Sequence, residues 1–148
     1  MNQMAPRSAV LDDLKAIAKL EEEVYTADRR WSYDDYLEDF ESPDRLYLVY
    51  QEEETLVGYA AGYTEDDVFY ITVITTDPRF RGKGIAKVLY QELHDRAKAH
   101  GVKFIKLEVD IVNEVALNWY KRLGFTNEDY ILDYYGPKED AFLMSLAL

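Results

Sequence analysis

The segment from Phe69 to Ala86 constrains this chain more than any other. Phe69-Tyr70-Ile71-Thr72-Val73-Ile74-Thr75-Thr76 is apolar and β-branched, and it predicts a strand. Arg79-Phe80-Arg81-Gly82-Lys83-Gly84-Ile85-Ala86 follows, and an amphipathic pattern then runs to His100. Strand, glycine turn and helix stand in that order. Glycine lets the backbone approach a ligand closely, because no Cβ intervenes. The N–H groups that open a helix favour an anion. Arg79, Arg81 and Lys83 flank the turn, so the segment reads as a cradle for a pyrophosphate.

The glycine spacing narrows the ligand. A Walker loop needs Lys-Ser/Thr after its second glycine, where this chain has Ile85-Ala86. A dinucleotide loop needs a third glycine, and position 87 is Lys. The remaining pattern, Arg-x-x-Gly-x-Gly, resembles the acyl-CoA motif of the GNAT superfamily of N-acyltransferases. Leu107-Glu108-Val109 and then Asn113-x-x-Ala116-x-x-x-Tyr120, ending in Gly124-Phe125, resemble the second half of the GNAT pattern. The tail Tyr134-Tyr135-Gly136-Pro137-Lys138-Glu139-Asp140-Ala141 resembles a narrower group. That group comprises the ribosomal-protein-alanine N-acetyltransferases and the catalytic subunits of archaeal and eukaryotic N-terminal acetyltransferases.

Periodicity gives the element order without the motif. Residues 4–9 predict a short strand. Asp12 is placed to cap a helix with the apolar face Leu14, Ile17, Leu20 and Val24. Ser32 caps a second helix carrying Tyr33, Tyr36, Leu37 and Phe40. Strands over 46–50 and 56–63 flank a turn, the 69–76 strand and its helix follow, and Gly101 ends that helix. A strand over 104–109, a helix capped by Asn113 and two final strands complete the chain. The order β-α-α-β-β-β-α-β-α-β-β is that of the GNAT fold. The expected class is α/β (α+β), a mixed, largely antiparallel twisted sheet flanked by helices, with residues 1–148 as a single domain.

Composition removes several functions. The chain has no Cys and two His, which excludes disulfides and cysteine nucleophiles and leaves no metal site expected. No apolar run is long enough to span a membrane and no export signal is visible, so a cytoplasmic protein is expected. The net charge of −12 argues against nucleic acid. Cations concentrate between Arg79 and Lys106, while Glu21-Glu22-Glu23, Asp34-Asp35 and Glu52-Glu53-Glu54 are acidic. An anionic co-substrate meeting a cationic acceptor fits that distribution; acidic runs that serve only solubility fit it too.

Acetyl transfer to an amine needs the thioester held, its carbonyl polarised, the ammonium deprotonated and the thiolate protonated. The backbone of Arg81, Gly82, Lys83, Gly84, Ile85 and Ala86 is the candidate cradle for acetyl-CoA, with Arg79 and Arg81 available to phosphate oxygens. The resemblance implies a bulge that splays the 69–76 strand from the 104–109 strand, with the pantetheine arm in the opening. It also implies a backbone N–H near Thr75 or Thr76 facing the thioester oxygen. Two threonines here replace the family's usual apolar residues; they serve as plain β-branched residues or add a hydroxyl.

Glu108 interrupts an apolar strand on the face opposite Leu107 and Val109. Facing solvent it would be unremarkable; lining a cleft it would be desolvated and suited to proton abstraction. The resemblance implies the second, because the alanine N-acetyltransferase group has its base there. Ala116 and Tyr120 share a helix face at i, i+4. A phenol is protonated at neutral pH, so Tyr120 is the candidate acid, against the alternative of one core tyrosine among 13. Asn113 caps its helix, and the resemblance adds the pantetheine amide as its partner. Tyr134 and Tyr135 are candidates to grip a peptide acceptor, and Trp31 lines the acceptor mouth or anchors packing.

The expected activity is acetyl-CoA-dependent N-acetylation of a peptide or protein N-terminal amine, by direct attack in a ternary complex. The other open readings are a polyamine or amino-sugar acetyltransferase and a non-catalytic acyl-CoA-binding module. Expected partners are acetyl-CoA and a cationic amine, with the chain a monomer or homodimer and no nucleic acid or membrane.

Overall fold

The structure is a computed structural model that describes residues 5–148. In chain order the elements are β1 (Arg7–Ser8), α1 (Leu14–Val24), α2 (Tyr33–Glu41), β2 (Arg45–Glu52), β3 (Thr55–Glu65) and β4 (Val68–Thr76). Then come α3 (Ile85–Ala99), β5 (Phe104–Asp110), α4 (Glu114–Arg122), β6 (Thr126–Gly136) and β7 (Glu139–Ala147). This is the element order expected from the sequence. Met4, the first residue of the expected N-terminal strand, lies outside the described residues. No helix among the described residues is long and apolar enough to cross a membrane.

One seven-stranded sheet runs in the order β1-β2-β3-β4-β5-β7-β6. Every pair is antiparallel except β4 with β5. The sheet carries a core on each face. Against α3 and α4 pack Leu48, Ala60, Phe69, Ile71, Leu107 and Val109 with Leu89, Leu93 and Leu117. Against α1 and α2 pack Tyr47, Val49, Tyr59 and Ala61 with Leu14, Ile17, Leu20 and Tyr36. Burying each large apolar side chain contributes about 1.5–3 kcal/mol.

Local chemistry sets the helix ends. The N-terminal cap is not Asp12. Leu11–Asp13 forms a 3-10 turn, and the Asp13 carboxylate accepts the Val10 N–H at 2.7 Å and pairs with Arg7 at 2.8 Å. Ser32 and Asp35 cap α2 reciprocally, at 3.2 and 3.1 Å. Tyr33 leaves the expected apolar face and is exposed, whereas Tyr36 is buried.

A break in register positions the site. Ala61 pairs with Val73, but Gly62 pairs with Ile71, so Thr72 is an extra residue on β4. Its hydroxyl donates to the Ala61 carbonyl at 3.1 Å. A Cβ on Gly62 would lie 2.4 Å from the Tyr70 carbonyl oxygen, so the bulge needs glycine opposite it. The extra residue also swaps the faces: Phe69 and Ile71 enter the α3/α4 core, and after the bulge Ile74 does, while Val73 joins the α1/α2 core. Strand β5 pairs with β4 only over Val68–Tyr70, yet stays paired with β7 from Phe104 to Asp110. Beyond Tyr70 the two parallel strands diverge and open a cleft through the sheet.

Candidate active site

The glycine turn forms an open cradle. Gly82 and Gly84 take φ of +81° and +79°, and a Cβ on either would meet nothing within 4 Å. Gly84 is the N-cap of α3, and no side chain caps the helix. The cradle has a volume of about 200 Å³, and Thr76, Arg81, Gly82, Gly84, Ile85 and Ala86 line it. The Thr76 hydroxyl is buried there and finds no hydrogen-bond partner among the described residues. An unpaired buried hydroxyl beside bare helix N–H groups suits a polar, anionic ligand.

The expected cations divide. The Arg79 guanidinium is bound by the Asp77 carboxylate at 2.7 and 3.1 Å and lies 3.7 Å from Glu23. Asp77 is buried and needs that partner; Arg79 holds its carboxyl below the usual range. Lys83 lies 3.7 Å from Glu52 and over the Phe80 ring. Of the three flanking cations only Arg81 lines the cradle, and Lys87, one turn after Lys83, joins it. The sequence reading missed Lys87 as a cradle residue; its place in the first turn of α3 brings it there.

Next to the cradle, the splay between β4 and β5 forms a cleft of about 520 Å³. Glu108, Asn113, Ala116, Tyr120, Tyr134, Tyr135 and Trp31 all line it. Strand alternation sends Ile105, Leu107 and Val109 into the core and turns Glu108 to the α1/α2 face, where it is half-buried. Burial pushes its carboxyl up, against opposing hydrogen bonds from its own backbone and from the Tyr134 hydroxyl. Tyr134 is pushed up to about 12, first by burial and then by Glu108. Tyr120 comes from α4 on the opposite side of the sheet. Burial holds its phenol far above the usual range, so it stays protonated. The Asn113 carboxamide accepts the Ala116 N–H at 3.1 Å, which is the cap, while also lining the cleft. The Thr75 hydroxyl shares a hydrogen bond with Tyr25 at 3.2 Å.

The Tyr-Tyr…Glu-Asp-Ala tail has a structural cause. Ile131 pairs with Ala141 and Gly136 with Glu139, so residues 132–135 leave the β6–β7 ladder. The Asp140 carboxylate fixes this excursion by accepting the Asp133 N–H at 2.8 Å and the Tyr130 hydroxyl. Tyr134 and Tyr135 are thereby carried to the cleft. Glu139 meets Arg29 at 3.3 Å, Arg29 also meets Asp110 at 3.3 Å, and its guanidinium covers the Tyr135 ring at 4.4 Å. Arg29, from the α1–α2 connection, thus ties one wall of the cleft to the other. Trp31 is half-exposed on that wall and packs on Tyr36. Arg29, Glu21, Tyr25 and Tyr59 are lining residues that sequence reasoning missed.

A family model described as the acetyltransferase (GNAT) family matches residues 12–125. The chain belongs to the GNAT acetyltransferase family. A relative from Mycobacterium tuberculosis (strain ATCC 25618 / H37Rv), named N-alpha-acetyltransferase RimI, is 31% identical over 137 residues. That match covers 89% of this chain and 85% of the relative. Two solved structures share the GNAT fold. The ribosomal-protein-S18-alanine N-acetyltransferase from Escherichia coli has a TM-score of 0.89 at 24% identity, over 98% of this chain and 94% of that one. The PaiA N-acetyltransferase from Thermoplasma acidophilum, solved in complex with coenzyme A, has a TM-score of 0.83 at 20% identity, over 99% and 100%. As a GNAT acetyltransferase the chain is an enzyme.

Proposed function

We propose that this enzyme transfers the acetyl group of acetyl-CoA to the N-terminal α-amine of a peptide or protein, in a ternary complex. The observation that carries this reading is the opening between β4 and β5, with Glu108 at one face of the sheet and Tyr120 at the other in a single cleft. The two reactants then approach from opposite faces and meet in the opening. The relative named as an N-alpha-acetyltransferase supports the choice of acceptor.

Acetyl-CoA supplies the acetyl group as an activated thioester. Arg81, Lys87, the backbone of Gly82, Gly84, Ile85 and Ala86, and the free Thr76 hydroxyl would hold it. Arg79 keeps its phosphate role only by releasing Asp77. Asn113 and Ala116 flank the arm, and the β4 backbone at Thr75 and Thr76 polarises the carbonyl. Glu108, raised by burial, takes the proton from the acceptor ammonium. Tyr120 gives its proton to the departing sulfur. Tyr134 and Tyr135, with Trp31 opposite, hold the acceptor backbone. The chain has no Cys, so no thiol carries the acetyl group between steps. A cytoplasmic location suits such an enzyme.

Mass spectrometry tests the assignment. A peptide with a free N-terminus and an internal lysine is incubated with acetyl-CoA and enzyme. Acetylation confined to the α-amine is expected; acetylation of the lysine alone would overturn the assignment.

A further inference from the structure

Among the carboxylates lining the cleft, Glu21 is unlike Glu108. It lies on α1, only 5% exposed, in an otherwise aromatic wall of Tyr25, Tyr36, Tyr47 and Tyr59. The Tyr59 hydroxyl donates to its Oε1. No ion pair reaches it among the described residues; Arg30 acts on it only from a distance. A buried carboxylate without a cation is costly to keep. A cation received in the cleft it lines would offset that cost.

Its place on the sheet adds a second observation. Tyr59 pairs across the ladder with Thr75, and Tyr25, one helical turn after Glu21, bonds the Thr75 hydroxyl. Glu21 therefore sits against the part of β4 beyond the bulge, on the α1/α2 face. Glu108 is on that same face, across the opening. Two carboxylates from different walls thus border the space that an amine acceptor enters.

We propose that Glu21, held by Tyr59, is a second acceptor-binding carboxylate that attracts and seats the incoming ammonium, leaving proton abstraction to Glu108. Burial raises the Glu21 carboxyl, and the Tyr59 hydroxyl opposes that by donating to its Oε1. A cation arriving in the cleft adds to the second effect. Glu21 then acts as a fixed counter-charge. This proposal rests on the amine-acceptor reading above. A purely structural Glu21–Tyr59 contact would affect the melting temperature and leave acceptor binding alone.

The test is steady-state kinetics of Glu21→Gln and Glu21→Asp at saturating acetyl-CoA, with thermal melting alongside. The Gln carboxamide oxygen can still accept from Tyr59. For Glu21→Gln the expected result is an acceptor KM raised by about tenfold or more, with kcat within about twofold and the KM for acetyl-CoA unchanged. Glu21→Asp, which keeps the charge, recovers part of the loss. An unchanged acceptor KM overturns the proposal, as does a lost kcat at unchanged KM. If Glu21→Gln does not fold, Glu21→Asp decides: a raised acceptor KM supports the proposal and an unchanged one overturns it. Wild-type enzyme that turns over no peptide overturns the N-terminal reading, and the role of Glu21 with it. Peptide turnover with an indifferent Glu21 overturns only the present proposal.

Discussion

The proposed division of proton work between Glu108 and Tyr120 follows from how differently the protein surrounds them. Glu108 is half-buried with Tyr134 as its partner, and burial raises its carboxyl above the usual carboxylate range. Replacing it with Gln should lower kcat by about 10²–10⁴-fold while coenzyme A still binds, measured by turnover and calorimetry. The raised carboxyl also sets the acid limb of the pH profile. Below its own pKa Glu108 is protonated and cannot accept, so kcat/KM should fall with acidity at a pH above about 4.3, the ordinary Glu value. Glu108→Gln should remove that limb from whatever rate remains. Tyr120→Phe should cost about 10²-fold or more in kcat without loss of coenzyme A affinity. At this scale the strand pattern alone left Glu108 open between solvent and cleft, and the resemblance pointed to the cleft, which it lines. The sequence was uninformative for Glu21, which reads as one of three acidic surface residues. The structure buries it because it continues the helical phase of Leu14 and Ile17, seven residues on from the first.

Among the elements, the bulge at Thr72 does most to create the site. It ends the β4–β5 pairing and exchanges which β4 residues face each core. Gly62→Ala would drive a Cβ into the Tyr70 carbonyl. It should destabilise the fold by about 1–3 kcal/mol in chemical denaturation and lower activity beyond what that loss explains. In the glycine turn, Gly84→Ala forces a Cβ into left-handed backbone, at about 1–2 kcal/mol, and puts a methyl where the anion approaches. Weaker coenzyme A binding should follow. The strands and helices themselves were legible, because periods of two and near 3.6 follow directly from which face is buried. The bulge was not legible from the residues, since Thr72 sits in an unbroken β-branched run. Only pairing with β3 marks it as extra; the resemblance implied it, and the residues did not. Arg29 was likewise silent, because its partners Asp110 and Glu139 are distant in sequence.

Across the whole molecule, the proposed function puts the two reactants on separate faces of the sheet, meeting at the opening between β4 and β5. The charges follow that division. A net charge of −12 coexists with a cation-rich stretch from Arg79 to Lys106 that contains the cradle. Cationic acceptors should be drawn to the acidic remainder, so kcat/KM for a basic peptide should fall with ionic strength more steeply than for a neutral one. The central claim is that an N-terminal amine is the acceptor and that Glu108 and Tyr120 act on it. The most direct measurement is thiol release from acetyl-CoA with peptides whose N-termini are free or blocked, using wild-type, Glu108→Gln and Tyr120→Phe enzymes. The account predicts release only with free N-termini and a large loss in both variants. Equal release with blocked peptides, or undiminished rates in both variants, would contradict it.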